Sequence, residues 1–288
     1  MNAVAVPDTT AHSVTPAPGR LQAPAHWQRV DFIADLHLQS SDGATFDAWR
    51  DYMRRTQADA VFILGDLFEV WVGDDLFDQG AVQSAGRAPD QGASLAACCA
   101  GVLQAAARRL SLYFIHGNRD FLLGPAYAGA CGMTVLADPT ALDFAGQRWL
   151  LSHGDALCLA DTDYMRFRAE VRNEPWRQAF LAKPLAERES IGRGMRAQSE
   201  ALKSCARDSG AMRVDLDRAA TRDWLSAADA STLIHGHTHM PAEHDLGGGL
   251  RRLVLSDWDG DAKPPRASIL RLHAGAGARA ERLPAISA

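Results

Sequence analysis

The sequence predicts a layered α/β protein: mixed β-sheets flanked by helices, interrupted by a helical insertion. Three observations carry this. Short apolar runs bounded by polar residues recur along the chain, as buried strands do. The early runs alternate with amphipathic helical stretches and the later ones follow in closer succession, which suits a mixed sheet. Between His153 and His237 lies a long arginine-rich stretch whose middle has no strand-like run.

Taken in order, the first residues "MNAVAVPDTTAHSVTPAPGRLQAPAHW" lack a basic start and a continuous apolar core, so they do not read as a signal peptide. Their Ala, Pro and Thr content predicts a disordered tail over 1–27. "VDFIAD" then reads as a strand, followed by a helix with Phe46, Trp49 and Met53 on one face. "AVFILGD" is the next strand, and after a long loop "ASLAACCAGVLQAAARRL" is helical. "LYFIHGN", "RWLLSHGD", "STLIHGH" and "RRLVLSD" complete the strands. The insertion, "DYMRFRAEVRNEPWRQAFLAKPLAERESIGRGMRAQSEALK", reads as two or more helices with breaks near Pro175 and Pro184. The expected organisation is a core over 28–158, a helical lid over 159–222 and the rest of the core over 223–288.

The 288 residues suffice for a substantial core, and the 47% hydrophobic and 23% charged composition is that of a globular protein. A formal net charge of -5 argues against general affinity for nucleic acid. Five cysteines without a C-x-x-C pair fit reduced thiols in the cytoplasm. No apolar run approaches the roughly 18 residues of a membrane span.

The endings of the strands point to function. They deliver Asp35 and His37 in "DLH", Asp66 in "GDLFE", Asn118 in "GNRD", His153 in "SHGD", and His237 and His239 in "GHTH". Sites in open α/β sheets gather beyond the carboxyl ends of strands, so these groups are expected in one crevice. Singly, each has a bland reading as a turn or helix cap. Jointly they predict a metal site, and mixed imidazole and oxygen donors without thiolate suit first-row divalent ions. His235, on the strand side of Gly236, reads as a structural or supporting residue.

As a set these blocks, D-x-H, G-D, G-N-x-D, H-G-D and G-H-T-H, resemble the calcineurin-like metallophosphoesterases from about Val30 to Asp257. "FIADLHL", "ILGDLFEVWVGDD", "FIHGNRDFLLG", "HGDALC", "LIHGHTHMP", "YMRFRAEVRN" and "MRAQS" are similar to the branch that hydrolyses UDP-2,3-diacylglucosamine in lipid A synthesis. The resemblance implies two Mn²⁺ ions, one held by Asp35, His37 and His239, the other by Asn118, His153 and His237, with Asp66 between them. Such a pair activates water and neutralises phosphoryl charge. Asp66, Asn118, Arg119 and His237 are the expected catalytic residues. Where many relatives in the superfamily carry a histidine, Arg119 stays charged and cannot act as a general acid, which favours cleavage of an anhydride with its good leaving group.

The resemblance also implies substrate contacts from Asn118, Arg119, Asp161, Tyr164, Ser199, Lys203 and His237. The chain departs from the family pattern after Ser199, where Lys203 and Ala206 replace an expected asparagine and lysine. The 76–94 loop is longer than expected and reads as flexible. Phe167, Trp176, Phe180 and Leu181 among the insertion's arginines suit either a small subdomain core or a slot for acyl chains beside an anionic surface. The expected protein is a monomeric cytoplasmic hydrolase, peripheral on the inner membrane, acting on an acylated sugar nucleotide. The alternatives are a soluble nucleotide pyrophosphatase or phosphodiesterase of the same superfamily, and a non-catalytic metal-bearing binder of acylated sugar nucleotides.

Overall fold

A computed structural model describes residues 15–77, 91–208, 214–275 and 278–285, with the backbone alone over 91–94 and 198–208. Two six-stranded mixed sheets lie face to face. The first runs β1 (Gly19–Gln22), β6 (Thr140–Phe144), β7 (Gln147–Ser152), β8 (Thr232–His235), β10 (Leu250–Val254), β9 (Glu243–Gly247). The second runs β12 (Arg279–Pro284), β11 (Ser268–His273), β2 (Arg29–Ile33), β3 (Ala60–Leu64), β4 (Ser111–Ile115), β5 (Met133–Val135). Strands β2 to β5 are mutually parallel, as are β7, β8 and β10.

The period-2 alternation of side chains divides each central strand between two cores. Val30, Phe32, Phe62 and Leu64 meet Leu142, Trp149, Leu151 and Ile234 between the sheets. Ile33, Val61 and Ile63 face outward against helices α1 (Gly43–Arg55), α2 (Gln91–Ala107) and α3 (Pro125–Cys131). On the other side, Leu150 and Leu233 pack on Trp224 and Leu225 of α7 (Arg218–Ala228). The result is four layers. Trp49 and Met53 of α1 are buried and Phe46 packs beside them, as their spacing predicts.

The insertion comprises α4 (Thr162–Val171), α5 (Glu174–Leu181) and α6 (Leu185–Asp208). Asp161 and Asn173 cap the first two by accepting from Tyr164 N and Trp176 N. Pro175 stands in the first turn of α5, and Pro184 just before α6, so the two prolines fall at the boundaries.

Two expectations are corrected. The tail expected over 1–27 contains β1, whose residues 19–22 pair in parallel with β6, and Trp27 is buried in the inter-sheet core; residues 1–14 lie outside the described residues. The insertion's expected end at residue 222 falls inside α7, which Asp217 caps and whose apolar face belongs to the core. Most of the 76–94 loop lies outside the described residues, although α2 begins within it at Gln91.

Candidate metal centre

The carboxyl ends of β2, β3 and β4 in one sheet, and of β7 and β8 in the other, open toward one another. Their turns are locally unusual. Asp35, His37, Asp66, His237 and His239 have φ of 54°, 48°, 55°, 68° and 53°, a left-handed region costly for residues with a Cβ. Cross-turn bonds hold this strain. Asp35 N donates to Gly65 O (3.1 Å) and His37 N to Asp66 O (2.9 Å). His237 N donates to Asp35 Oδ2 (2.9 Å), and Arg119 N to Asp66 Oδ1 (2.8 Å). Two glycines make this approach feasible: a Cβ at Gly117 would overlap the Asp66 carboxylate, and one at Gly236 would overlap that of Asp35.

The seven expected donors are brought together in two clusters. His37 Nε2 and His239 Nε2 lie 3.3 Å apart, with His239 Nε2 3.4 Å from Asp35 Oδ1. Asn118 Oδ1 lies 2.9 Å from His153 Nε2 and 3.0 Å from His237 Nδ1. Asp66 Oδ2 stands 3.8 Å from both His37 Nε2 and His153 Nε2, midway between the clusters. Asp35 and His153 are wholly buried and Asp66 is 2% exposed. Buried carboxylates facing imidazole nitrogens, with no thiolate among them, are a donor set that fits a pair of first-row divalent cations.

Charge coupling is strong here. Burial works against the Asp35 carboxylate, but His239, His153 and His37 more than offset it and hold its pKa below the usual range. Burial likewise opposes His153, yet Asp66 and Asp35 push it up to about 9. His237 is pushed down to about 4 by burial and the neighbouring His153.

Several supporting residues escape a reading by strand ends. Asp120, also in "GNRD", accepts from Gly117 N (2.9 Å) and Leu67 N (2.7 Å), tying the β3 and β4 turns together. Burial and Asp66 raise its pKa to about 7. Glu69 Oε2 lies 2.9 Å from His37 Nδ1, and its Oε1 lies 3.0 Å from Arg196 Nε and 3.8 Å from Arg119 Nη1. Only its place within "GDLFE" could have drawn attention to it. Asp155 of "HGD" is wholly buried against the insertion. His235 is buried and takes no place in either cluster: its Nδ1 meets Gly236 O and its Nε2 lies 3.4 Å from Arg252 Nη1.

Of the expected substrate residues, Arg119 lies beside Glu69, and the Tyr164 ring stacks 6.0 Å from that of His237. Asp161 is exposed and caps α4. Ser199 and Lys203 fall on α6, where their side chains lie outside the described residues.

Comparison with known proteins agrees with this arrangement. A model of the calcineurin-like phosphoesterases matches residues 28–241, a span containing all seven donors. The UDP-2,3-diacylglucosamine hydrolase of Chromobacterium violaceum is 45% identical over 239 residues, covering 80% of this chain and 91% of that protein. The enzyme of the same name from Ralstonia nicotianae is 40% identical over 276 residues, covering 93% and 96%. That from Cellvibrio japonicus is 41% identical over 232 residues, covering 79% and 90%. With the strand-end donors, the two facing mixed sheets and the matched span in agreement, the chain belongs to the calcineurin-like phosphoesterase family.

Proposed function

We propose that this protein hydrolyses the pyrophosphate bond of UDP-2,3-diacylglucosamine, releasing UMP and 2,3-diacylglucosamine 1-phosphate in lipid A synthesis. The observation that carries the reading is the joint one: a two-cluster donor site in a chain 40–45% identical, over most of its length, to enzymes of that name. Asp35, His37 and His239 would hold one divalent ion, Asn118, His153 and His237 the other, with Asp66 shared; Mn²⁺ is the proposed metal. Such a pair, when bound, supplies an acidified water and neutralises phosphoryl charge.

The chain's own groups do the rest. Arg119 presents a fixed charge to the phosphoryl oxygens and holds no transferable proton at neutral pH. A phosphate leaving group needs none, so attack at the α-phosphorus requires no general acid at this position. Asn118 and His237 fix the adjacent oxygens, and Tyr164 and Asp161 border the sugar. Ser199 and Lys203 complete the proposed set of substrate residues.

The insertion, taken as a lid formed by α4, α5 and α6, presents apolar side chains for acyl chains. Phe180 is buried with Trp176 stacked on it at 4.8 Å, while Leu181 and Met195, also in the insertion, are 40% and 36% exposed. The insertion is also rich in arginine, which supports peripheral attachment of a monomer to the cytoplasmic face of the inner membrane. Among the described residues no helix is long and apolar enough to cross a membrane.

The test is metal-stripped protein restored with Mn²⁺ and assayed on UDP-2,3-diacylglucosamine and UDP-N-acetylglucosamine in ¹⁸O-labelled water. UMP release from the acylated substrate alone, with the label in UMP, is expected. Equal turnover of both would make the protein a general nucleotide pyrophosphatase. No turnover of either would overturn the assignment.

A further inference from the structure

Asp155 has no place in either donor cluster, yet it is wholly buried beside them, in the turn after Gly154. Among the described residues, everything that satisfies its Oδ2 comes from one face of the insertion. Tyr164, Arg168 and Arg172 recur at i, i+4 and i+8 along α4 and its C-terminal cap, so they form a single stripe. Tyr164 Oη donates to Asp155 Oδ2 at 2.5 Å and Arg168 Nε at 2.8 Å, while Arg172 Nη2 stands 3.7 Å away. A buried carboxylate without such partners would be costly, so these contacts are charge-assisted and hard to break.

The stripe continues past Asp155 to the donors. Arg172 Nη2 donates to Gly117 O at 2.8 Å, immediately before Asn118, and its guanidinium lies 5.1 Å over the Phe121 ring. At the other end of the stripe, the Tyr164 ring rests against His237. Both contacts fall on the Asn118, His153 and His237 cluster and neither on Asp35, His37 and His239.

From this geometry we infer that Asp155 is a positioning residue: it clamps the first helix of the insertion onto the Gly117–Asn118 turn and so registers the lid against one of the two donor clusters. The inference rests on reading those three residues as donors to one ion. Asp155 touches no reacting atom; it acts through Arg172 on the Asn118 turn and through Tyr164 on the His237 ring.

The test compares Asp155→Asn and Arg172→Gln in the full-length, metal-loaded protein by hydrogen–deuterium exchange and steady-state kinetics. Asp155→Asn should speed exchange selectively over 162–172, leave β2 to β4 protected, and lower kcat by about 10–100-fold. KM should move less than about threefold. Arg172→Gln should lower kcat in the same direction while disturbing the helix less. Unchanged exchange over 162–172 in both variants would overturn the clamp. So would a loss of kcat in Asp155→Asn without faster exchange, because the effect would then be local to His153. If Asp155→Asn does not fold, Arg168→Gln, read by the same exchange and kinetics, takes its place. Exchange is read without substrate, so failure of the wild type on UDP-2,3-diacylglucosamine would remove the substrate reading and leave the clamp to be judged separately.

Discussion

At Asp66 one side chain serves two demands. Its Oδ1 accepts from Arg119 N, while its Oδ2 stands equidistant from His37 and His153. Asp66→Ala and His239→Ala should therefore lose bound Mn²⁺ and reduce turnover by two to three orders of magnitude or more, roughly. Metal analysis beside kinetics checks this, and near-normal activity in both would remove the donor assignment. Arg119→Ala should instead keep its metal and lose about 100-fold in kcat. A different residue-scale prediction concerns Asp215, which pairs with buried Arg252 at 2.6 Å behind His235. Burial opposes its charge, but the hydrogen bonds from Arg252 and Leu216 N, with the nearby positive charge of Arg252, together outweigh burial and hold its pKa below the ordinary value. The stability from this pair is complete above the unfolded pKa of about 3.9 and is lost as pH falls through the lower folded value. Asp215→Asn should unfold at lower urea than wild type at neutral pH, and the gap should close below about pH 4. A gap that persists in acid would show that the ionised pair is not its source.

The turns, more than the strands, make the site, and they explain what could be read in advance. Each donor lies at or just beyond the end of an apolar run, so residue type and position together marked Asp35, His37, Asp66, Asn118, His153, His237 and His239. Glu69, Asp120 and Asp155 left no such mark, because their partners come from other elements: His37 and Arg196 for Glu69, backbone amides of the β3 and β4 turns for Asp120, and Tyr164, Arg168 and Arg172 of α4 and its cap for Asp155. Nor did β1, β5, β6, β9, β11 and β12 stand out. Of these, β1, β5, β9 and β12 are the four sheet edges; β1 and β12 have no fully buried position and β5 and β9 have one each, whereas every position of β3 and β8 is buried. The β8 turn gives an element-scale prediction. Gly236→Ala places a Cβ against the Asp35 carboxylate and Ala34, so the turn must shift although both flanking strands can still pair. The variant should retain its far-ultraviolet circular dichroism while Mn²⁺ affinity falls about 10–100-fold. Unaltered metal affinity would show that the turn yields without moving its donors.

For the molecule as a whole, buried Asp35 and Asp66 make the folded state a better cation binder than the unfolded chain. Chelation should lower the thermal midpoint, and Mn²⁺ at about 100 times its Kd should restore about 2.7 kcal/mol of stability. A midpoint indifferent to chelator in calorimetry would contradict this. The layered architecture was legible because strand and helix patterns succeed one another in the sequence, whereas the facing of two six-stranded sheets is a long-range fact that local pattern does not hold. That facing has a mechanical consequence. Asp35, Asp66 and Asn118 follow strands of one sheet, while His153, His237 and His239 follow strands of the other. A bound ion in either cluster would bridge the two, like a rivet through two plates, and its grip would gauge their alignment. Shear between the sheets, as from a void opened at Phe62 or Trp149 in the shared interior, would register as loosened metal before either sheet lost a strand.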